Sequence, residues 1–260
     1  GVLNTQKDKA DYYVIHSYYT NYQTNASADE ILATASDNTT AMMNYLKSNI
    51  SGSGNSVKPV VLDEWNITSQ GSRQQVSFVN GMHATILMAE AIKNKYGLTA
   101  RWDLANGWNN GNDHGLFNIG DEPGVPKWNP RPAFYYIYYF QKMFGDRMLE
   151  TSVVGGNNVM TYASSFSSGQ KGVVLVNKSK SNQYAVISLK NANPGKRYYW
   201  YTLVGGTDNG DFSAKVYVNS KGPSDASGGP ADSYTSIKPY SAPSEGGIKV
   251  ALPSRSVVFL

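Results

Sequence analysis

The stretch PVVLDEWN, residues 59–66, decides the fold that the sequence predicts. It is apolar up to Leu62, and two carboxylates, Asp63 and Glu64, then follow without a spacer. A short aliphatic run without alternation is typical of a parallel strand that is buried on both faces. Two charges at the end of such a strand are costly unless a partner or a function keeps them there.

The segments on either side of this strand repeat a strand and helix pattern. A strand over residues 11–20 and a helix over 28–49 precede it, and a helix over 73–96 follows it. A strand over 99–106 and a helix over 130–143 complete the pattern. Strands that alternate with helices predict an α/β fold, here three βα units of a parallel sheet or barrel.

The chain after residue 147 has a different sequence pattern. Short β-branched and aromatic runs, separated by turn residues, predict an all-β, antiparallel β-sandwich. We therefore expect two domains, residues 1–147 and residues 148–260. The stretch 220–247, rich in Gly, Pro and Ser, is predicted to be a surface excursion of the sandwich. The seven predicted strands are 159–165, 172–177, 184–189, 197–203, 214–218, 247–251 and 256–260.

Composition excludes several classes of protein. The 260 residues contain no cysteine, which removes disulfides, cysteine-ligated metals and thiol catalysis. No apolar run is long enough to predict a membrane span, and the Lys and Arg residues are scattered singly. We therefore expect neither a membrane nor nucleic acid as a partner. The lack of cysteine, with abundant Asn, Ser, Thr and Tyr, favours a secreted protein.

Polar and aromatic side chains collect where each predicted strand of the α/β part ends. In parallel barrels these carboxyl ends converge on one rim, which carries the functional groups. Carboxylates, amides and tryptophans together suit a sugar, because indoles stack on its C–H face and polar groups bond its hydroxyls. Ordinary ion pairs of Asp63 and Glu64 are the structural alternative, which spacing alone does not exclude. The side chains concerned are His16, Tyr18, Asp63, Glu64, Trp65, Asn66, Trp102, Trp108, Asn109, Asp113 and His114.

Two further patterns have structural interpretations. His83 lies within a predicted helix and is expected to be structural. The Asn and Asp cluster at residues 109–113 offers oxygen ligands for calcium, but it lacks the full EF-hand pattern, so turn formation is favoured. We predict no metal site and no cofactor.

A strand that ends in an acidic residue, Glu, Trp and Asn resembles the seventh barrel strand of the clan A retaining glycoside hydrolases. The strand with His and Tyr one βα unit earlier, the Trp-bearing strand one unit later and the C-terminal sandwich extend the resemblance over nearly the whole chain. It implies the last three βα units of a (β/α)8 TIM barrel followed by a β-sandwich. Within the clan, residues 101–118 and 253–260 look most similar to the β-agarase and β-porphyranase family.

The resemblance also implies roles for individual residues. Glu64 would be the catalytic nucleophile, and His16 and Tyr18 would lie beside it. Trp65, Trp102 and Trp108 would stack on sugar rings. The remaining predicted contacts, which would bind hydroxyls or orient Glu64, are His16, Tyr18, Asn109, Asp113 and His114.

One departure from the clan concerns its acid/base, a Glu that follows Asn at the end of the fourth strand. No Asn-Glu pair occurs in these 260 residues, and 147 residues are too few for a barrel of about 200 or more. We therefore expect an N-terminal barrel segment or chain, supplying the acid/base, as a partner. The predicted function is endo-type hydrolysis of a β-linked polysaccharide, a marine galactan such as agarose or porphyran.

Two alternatives remain open from the sequence. One is a clan A glycosidase that acts on xylan, arabinan or glucan. The other is a non-catalytic carbohydrate-binding protein, which the missing acid/base would favour. The excess of 11 Lys+Arg over 6 Asp+Glu in residues 148–260 suits a sulfated polymer but is too small to identify it.

Overall fold

The computed structural model describes residues 2–260 and has a mixed α/β architecture. Its first part is a parallel sheet of three strands in the order β1-β2-β3, with helices between them in the chain. A one-turn helix, α1, and a 3-10 turn precede the sheet. The elements are α1 (Val2–Gln6), β1 (Tyr13–Tyr18), α2 (Ala28–Gly52), β2 (Val60–Asn66), α3 (Phe78–Lys93) and β3 (Leu98–Arg101).

Helix α2 begins where the sequence contains its capping residues. The Ser27 side chain accepts a hydrogen bond from the backbone N–H of Glu30 (3.2 Å), and Asp29 and Glu30 stand in the first turn. Both features favour a helix N-terminus, because they satisfy a free N–H and oppose the positive end of the helix dipole. The predicted helix over residues 73–96 is instead a 3-10 turn (Arg73–Val76) followed by α3.

Helix α3 is buried on nearly all sides because it lies between the two sheets of the molecule. Its residues Met82 and Ile86 belong to the core that the helices share with the antiparallel sheet. Ala84 and Leu87 belong to the core beneath β2. The helices thus cover one face of the β1–β3 sheet, while Val14 and Leu98 are exposed on its other face.

A long loop follows β3 and leads to α4. The predicted strand over residues 99–106 is interrupted at residues 102–104, and β4 (Ala105–Asn106) then pairs in parallel with β5 (Phe117–Asn118). Helix α4 (Pro132–Met143) starts with proline in its first turn, where the missing N–H costs no hydrogen bond.

The second part of the described chain is antiparallel, as predicted. One sheet has the order β11-β10-β14-β8-β7-β6, with β12 also paired to β10, and β9 and β13 form a separate pair. An apolar core with Val250 and Val258 lies between the two. The strands are β6 (Arg147–Leu149), β7 (Val159–Ser165), β8 (Lys171–Asn177), β9 (Gln183–Ile187), β10 (Arg197–Gly205), β11 (Val216–Val218), β12 (Tyr240–Pro243), β13 (Ile248–Leu252) and β14 (Ser256–Phe259).

The stretch 220–247 is more than a surface excursion. Residues 227–230 are buried, and Tyr234 and Ile237 pack against the core that contains α4. A Cβ on Gly229 would come within 2.6 Å of the Tyr135 ring, so the backbone approaches the helix too closely for a side chain. This stretch also contains β12, a strand that the sequence analysis missed.

The expected boundary between residues 147 and 148 falls inside β6. The largest apolar core contains residues from both sides of it, among them Tyr139 of α4 and Phe259 of β14. Across residues 2–260, no helix combines the length and the apolar character that crossing a membrane requires.

Candidate active site

Glu64 lies at the carboxyl end of β2, and both of its carboxylate oxygens have a neighbour on β1. The Tyr18 hydroxyl donates a short hydrogen bond to Oε1, and Nδ1 of His16 lies 3.3 Å from Oε2. The Glu64 side chain is 24% exposed, so it is held in place and still accessible. A carboxylate fixed in this way is oriented for attack on, or binding to, a molecule above the strand ends.

His16 bridges two carboxylates. Its Nε2 lies 2.9 Å from Asp63 Oδ1, while its Nδ1 faces Glu64. Both contacts are hydrogen bonds only when the ring carries two protons, because a neutral imidazole has a single N–H. The three side chains form an exposed charged cluster at the end of β1 and β2.

A β-bulge in β2 explains how adjacent residues Asp63 and Glu64 reach the same histidine. Ile15 pairs with Leu62 and His16 with Glu64, so Asp63 is an extra residue in β2. The extra residue shifts the alternation of side chains between the two faces of the sheet. Glu64 therefore lies on the uncovered face of the sheet.

The same bulge places Trp65 on the covered face, where it is only 2% exposed. It packs in the core with Leu62, Ala84 and Leu87, and its ring lies 6.3 Å from that of His83. The prediction that Trp65 stacks on a sugar ring is therefore wrong. Its role is to fill the space between β2 and the helices.

Trp102 lies at the rim as predicted from the strand end, and it is 45% exposed. Its backbone is fixed from β2, because its N–H donates to the Trp65 carbonyl (3.0 Å) and its own carbonyl accepts from Asn66 Nδ2 (2.6 Å). Asn66 is fully buried and also accepts from Asn80 Nδ2 (3.1 Å). The indole is thus presented to solvent on a rigid backbone.

Two of the predicted substrate contacts, Asp113 and His114, are buried. Asp113 forms a buried ion pair with Arg131, which also pairs with Glu122, and Asp113 accepts a hydrogen bond from the Gly115 N–H (2.7 Å). His114 Nε2 lies 3.0 Å from the Thr68 carbonyl oxygen. Both side chains are committed to the packing of the loop and are buried away from sugar hydroxyls, so of the two predicted roles only the orientation of Glu64 stays a prediction.

His114 still contributes to the site indirectly. Its ring lies edge-on to that of Tyr18, with centroids 6.3 Å apart. Burial lowers the pKa of His114 below its usual value. A neutral ring beside Tyr18 supports the side chain that donates to Glu64 without adding a charge.

Trp108 and Asn109 lie further along the loop. The Trp108 ring is half-buried and lies 5.5 Å from the Arg131 guanidinium, a cation–π contact. Asn109 is exposed and has a positive φ in a 3-10 turn. The described contacts of Trp108 and Asn109 are with the loop and not with the Glu64 cluster, so their binding of sugar stays a prediction.

Electrostatics keep Tyr18 protonated. Burial raises the pKa of its hydroxyl well above the usual value, and the hydrogen bond to Glu64 and the charges of Glu64 and Asp103 raise it further. Tyr18 therefore keeps its proton at physiological pH and donates a hydrogen bond to Glu64.

Asp103 is the neighbour that the site predictions left out. It follows Trp102, its Oδ2 accepts from Asn106 Nδ2 (3.3 Å), and its other oxygen is buried without a hydrogen-bond partner among the described residues. Burial raises the pKa of this carboxyl. Asp103 lies within the predicted strand over residues 99–106, two residues beyond the observed end of β3, and a carboxylate at a strand end was the signal that could have identified it, as it did Glu64.

Arg131 and Arg101 are buried cations that organise the loop and that sequence reasoning also missed. Arg101 Nη1 donates to the backbone carbonyls of His114 (2.5 Å) and Asp103 (3.2 Å). Burial lowers its pKa to about 10. Burial likewise raises the pKa of Asp113 to about 6, and the opposing charge of Arg131 does not outweigh it.

Comparison with known proteins gives matches in structure alone. No family model matches the sequence, and no curated protein matches it. The chain is similar to a 4-O-α-L-rhamnosyl-β-D-glucuronidase from Fusarium oxysporum 12S, with TM-score 0.66 and 13% identity over 95% of this chain and 52% of that one. It is similar to a family 44 xyloglucanase from Paenibacillus polymyxa, with TM-score 0.60 and 12% identity over 96% and 46%.

A third similar structure is the family 51 arabinofuranosidase from Xanthomonas axonopodis pv. citri, with TM-score 0.58 and 12% identity over 96% of this chain and 52% of that one. The chain therefore spans about half the length of the structures that it matches. At these identities the likeness concerns the fold alone. None of these three structures is described as an agarase or a porphyranase.

Proposed function

We propose that this chain is the part of a retaining glycoside hydrolase that carries the nucleophile, Glu64. The observation that carries the proposal is the oriented and accessible Glu64 carboxylate at the carboxyl end of a parallel strand. The likeness in fold of this chain to several glycoside hydrolases supports the proposal. Trp102, exposed at the neighbouring strand end, would support a sugar ring above the carboxylate.

The proposed reaction has two steps. Glu64 attacks the anomeric carbon while an acid protonates the leaving oxygen, and water then displaces the enzyme carboxylate from the same face that the leaving group occupied. Tyr18 and His16 orient the attacking oxygen. The retaining mechanism requires a second carboxyl group about 5 Å from the first.

The other described glutamates do not supply this second carboxyl group. Glu90 is buried and accepts a hydrogen bond from Tyr162 (2.9 Å), and Glu122 is buried against Arg131. Glu30 is in α2, and Glu150 and Glu245 lie in or beside the antiparallel part. We propose that the acid/base comes from an N-terminal barrel segment, for which the three βα units described here are the last three of eight.

The uncovered face of the β1–β3 sheet supports such a segment. Register places Val14 beside Val61 and Val61 beside Leu98, so the three side chains form one apolar row. Val14 is 45% exposed, and Leu98 is exposed as well. The interior of an eight-stranded barrel is filled by side chains of this kind from all strands, and the missing strands would cover the row.

The substrate we propose is a β-linked polysaccharide. The similar structures are described as acting on a rhamnosyl-glucuronide, xyloglucan and an arabinofuranoside, and another is a glucanase–xylanase. These descriptions favour a plant-type glucan or xylan, whereas agarose or porphyran rests on the sequence resemblance of residues 101–118. Action on a polymer also suits a secreted protein, which we propose here too.

The nucleophile is tested with Glu64→Gln and a matched Asp63→Asn control in the full polypeptide that contains this chain. We expect Glu64→Gln to lower kcat by about a thousandfold or more at unchanged folding, and Asp63→Asn to act far less. Proton NMR of the first product is expected to show retained anomeric configuration. Retained turnover in Glu64→Gln would refute the assignment, and hydrolysis of glucan, xylan, agarose and porphyran ranks the substrates.

The missing segment is tested with Val14→Asp and with Val154→Asp, whose side chain is 96% exposed, as control. In this chain alone, Val14→Asp should change the free energy of unfolding by less than about 1 kcal/mol. In the full polypeptide it should destabilise strongly, because it would bury a charge in the barrel. Equal, small effects of both variants in the full polypeptide would contradict a covering segment.

A non-catalytic carbohydrate-binding protein is the second candidate, favoured because none of the other described glutamates lies beside Glu64. It predicts that the full polypeptide binds polysaccharide but releases no reducing ends. New reducing ends that disappear with Glu64→Gln would eliminate it.

A further inference from the structure

A groove opens at the carboxyl end of α4, and none of the residues that line it belongs to the candidate active site. Its volume is about 770 Å³, within the range of about 300–1,000 Å³ that is usual for ligand-binding clefts. Its floor is apolar and includes Val173, Ile248 and Leu260, which belong to the core between the two layers of antiparallel strands. The groove is open along the surface, as a cleft for a polymer would be.

Helix α4 separates the groove from the candidate active site. The helix begins next to Arg131, which is bound to Asp113 in the loop below the site. Its 12 residues span about 18 Å. Lys142 and Met143, at the opposite end of the helix, line the groove. A ligand in the groove would therefore not contact Glu64.

The charged side chains that line the groove are all cations. Lys142, Lys171 and Arg197 line it, and none of its lining residues is an Asp or Glu. None of these three cations forms an ion pair with any residue in the described range 2–260. Asp146 is close in sequence but accepts a hydrogen bond from the Ser167 N–H (2.6 Å) and does not line the groove.

The contacts of the three cations are with neutral groups. Lys171 Nζ donates to the Gly169 carbonyl (3.0 Å), and Arg197 Nη2 donates to Ser241 Oγ (2.8 Å). Lys142 Nζ lies 5.3 Å from the centre of the Tyr201 ring. Their positive charge is therefore available to an incoming anion, and the low local polarity of the floor strengthens that attraction.

The other lining residues suit a sugar. Tyr199 lines the groove and is 51% exposed, so its aromatic ring is accessible to a sugar. Gln170, Asn193 and Ser168 supply amides and a hydroxyl that bond sugar hydroxyls. Aromatic faces, polar groups and cations together match a carbohydrate that also carries negative charge.

We propose that this groove binds a polysaccharide bearing carboxylate or sulfate groups. It would hold the polymer on the antiparallel part of the protein while Glu64 acts elsewhere on the same or a neighbouring chain. The site does not depend on catalysis, because the two locations share no residue.

Binding is measured in the Glu64→Gln background, so that hydrolysis does not interfere. The probes are polygalacturonate for carboxylate, carrageenan for sulfate, dextran as a neutral polymer and polyglutamate as a polyanion without sugar. The test variant is Lys171→Gln/Arg197→Gln, and the control is Lys221→Gln/Lys249→Gln, two exposed lysines outside the groove. Both double variants remove two positive charges.

We expect one or both charged polysaccharides to bind, with affinity that falls as salt increases. The groove variant should weaken this binding about tenfold, the control should not, and dextran should not bind. Tyr199→Ala should weaken the binding of polysaccharide further. Binding of polygalacturonate would identify carboxylate as the recognised group, and binding of carrageenan would identify sulfate.

The proposal is overturned by any of three results. Neither charged polysaccharide binds, or the two double variants lose affinity equally, or polyglutamate binds as tightly as the polysaccharides. Thermal unfolding of every variant checks that the fold is intact. Because binding is measured without turnover, its failure would leave the assignment of Glu64 standing, and loss of that assignment would leave the groove unaffected.

Discussion

The two sheets of the molecule differ in how many of their faces are covered. In β8 and β14, residues 172–177 and 256–259 are all buried, because helices lie on one face and the β9–β13 pair on the other. In the β1–β3 sheet only one face is covered, and His16, Val14 and Leu98 are exposed on the other. The charged cluster around Glu64 lies on that uncovered face. The chemistry that we propose is thus located where the described elements leave a sheet face free.

The largest expected effect on the free energy of unfolding comes from comparing two tryptophans. Trp65 lies on the covered face, and Trp102 is exposed just beyond the end of β3. Trp65→Ala should lower the free energy of unfolding by about 3–5 kcal/mol, because it empties a closed core. Trp102→Ala should change it by less than about 1 kcal/mol and instead raise KM for polysaccharide. Urea unfolding and steady-state kinetics of both variants measure this, and equal stability losses would contradict the assignment of faces.

The burial of His83 in α3, beneath the covered face, should make the free energy of unfolding sensitive to acid. Burial, with a smaller contribution from the charge of Arg101, lowers the pKa of this histidine to about 3. Its ring is fully buried beside Tyr19 and Trp65 and must stay neutral in the fold. The stability that His83 contributes is present above its unfolded pKa of about 6.5 and is lost as pH falls towards 3.

At about 1.4 kcal/mol per pH unit, this loss reaches about 3 kcal/mol at pH 4. His83→Leu should remove it, so that the variant loses less stability than the wild type between pH 7 and pH 4. His114, also buried but with a hydrogen bond to Thr68, provides His114→Gln as a comparison with a smaller expected effect. Parallel pH dependence of wild type and His83→Leu would be the contrary result.

On the uncovered face, the smallest expected effect is that of Tyr18→Phe. Loss of the hydroxyl removes one of the two groups that orient Glu64, and kcat should fall about tenfold with little change in KM or in Tm. Tyr22→Phe is the matched control, because the Tyr22 hydroxyl bonds Gln70 (2.8 Å) at an exposed position. A merely structural role for Tyr18 would lower Tm and leave kcat unchanged in the folded fraction.

Much of the fold could be predicted because it depends on local pattern. The aliphatic run before Asp63 is a strand, and the proline-initiated helix before Gly145 is α4. The seven strands expected after residue 147 are all present, with shifted ends. The local pattern did not predict the short strands β6 and β12. Each is defined by its pairing with a longer strand, β6 with β7 and β12 with β10.

The candidate site could be predicted in part for the same reason. Strand ends converge on one rim, so the proximity of His16, Tyr18 and Glu64 follows from the order of strands. The burial of Asp113 does not, because it depends on an ion pair with Arg131, 18 residues further along the chain. A buried ion pair across a loop leaves no periodic signal in the sequence.

The bulge at Asp63 has a consequence for sequence comparison. Without Asp63, the strand would read Leu62, Glu64, Trp65 and would alternate between the two faces without interruption. A relative that lacks Asp63 would therefore keep Glu64 and Trp65 on the same faces of the sheet as in this protein. An ungapped alignment through this strand would then pair the wrong carboxylate with Glu64, and a one-residue gap at Asp63 would restore the match.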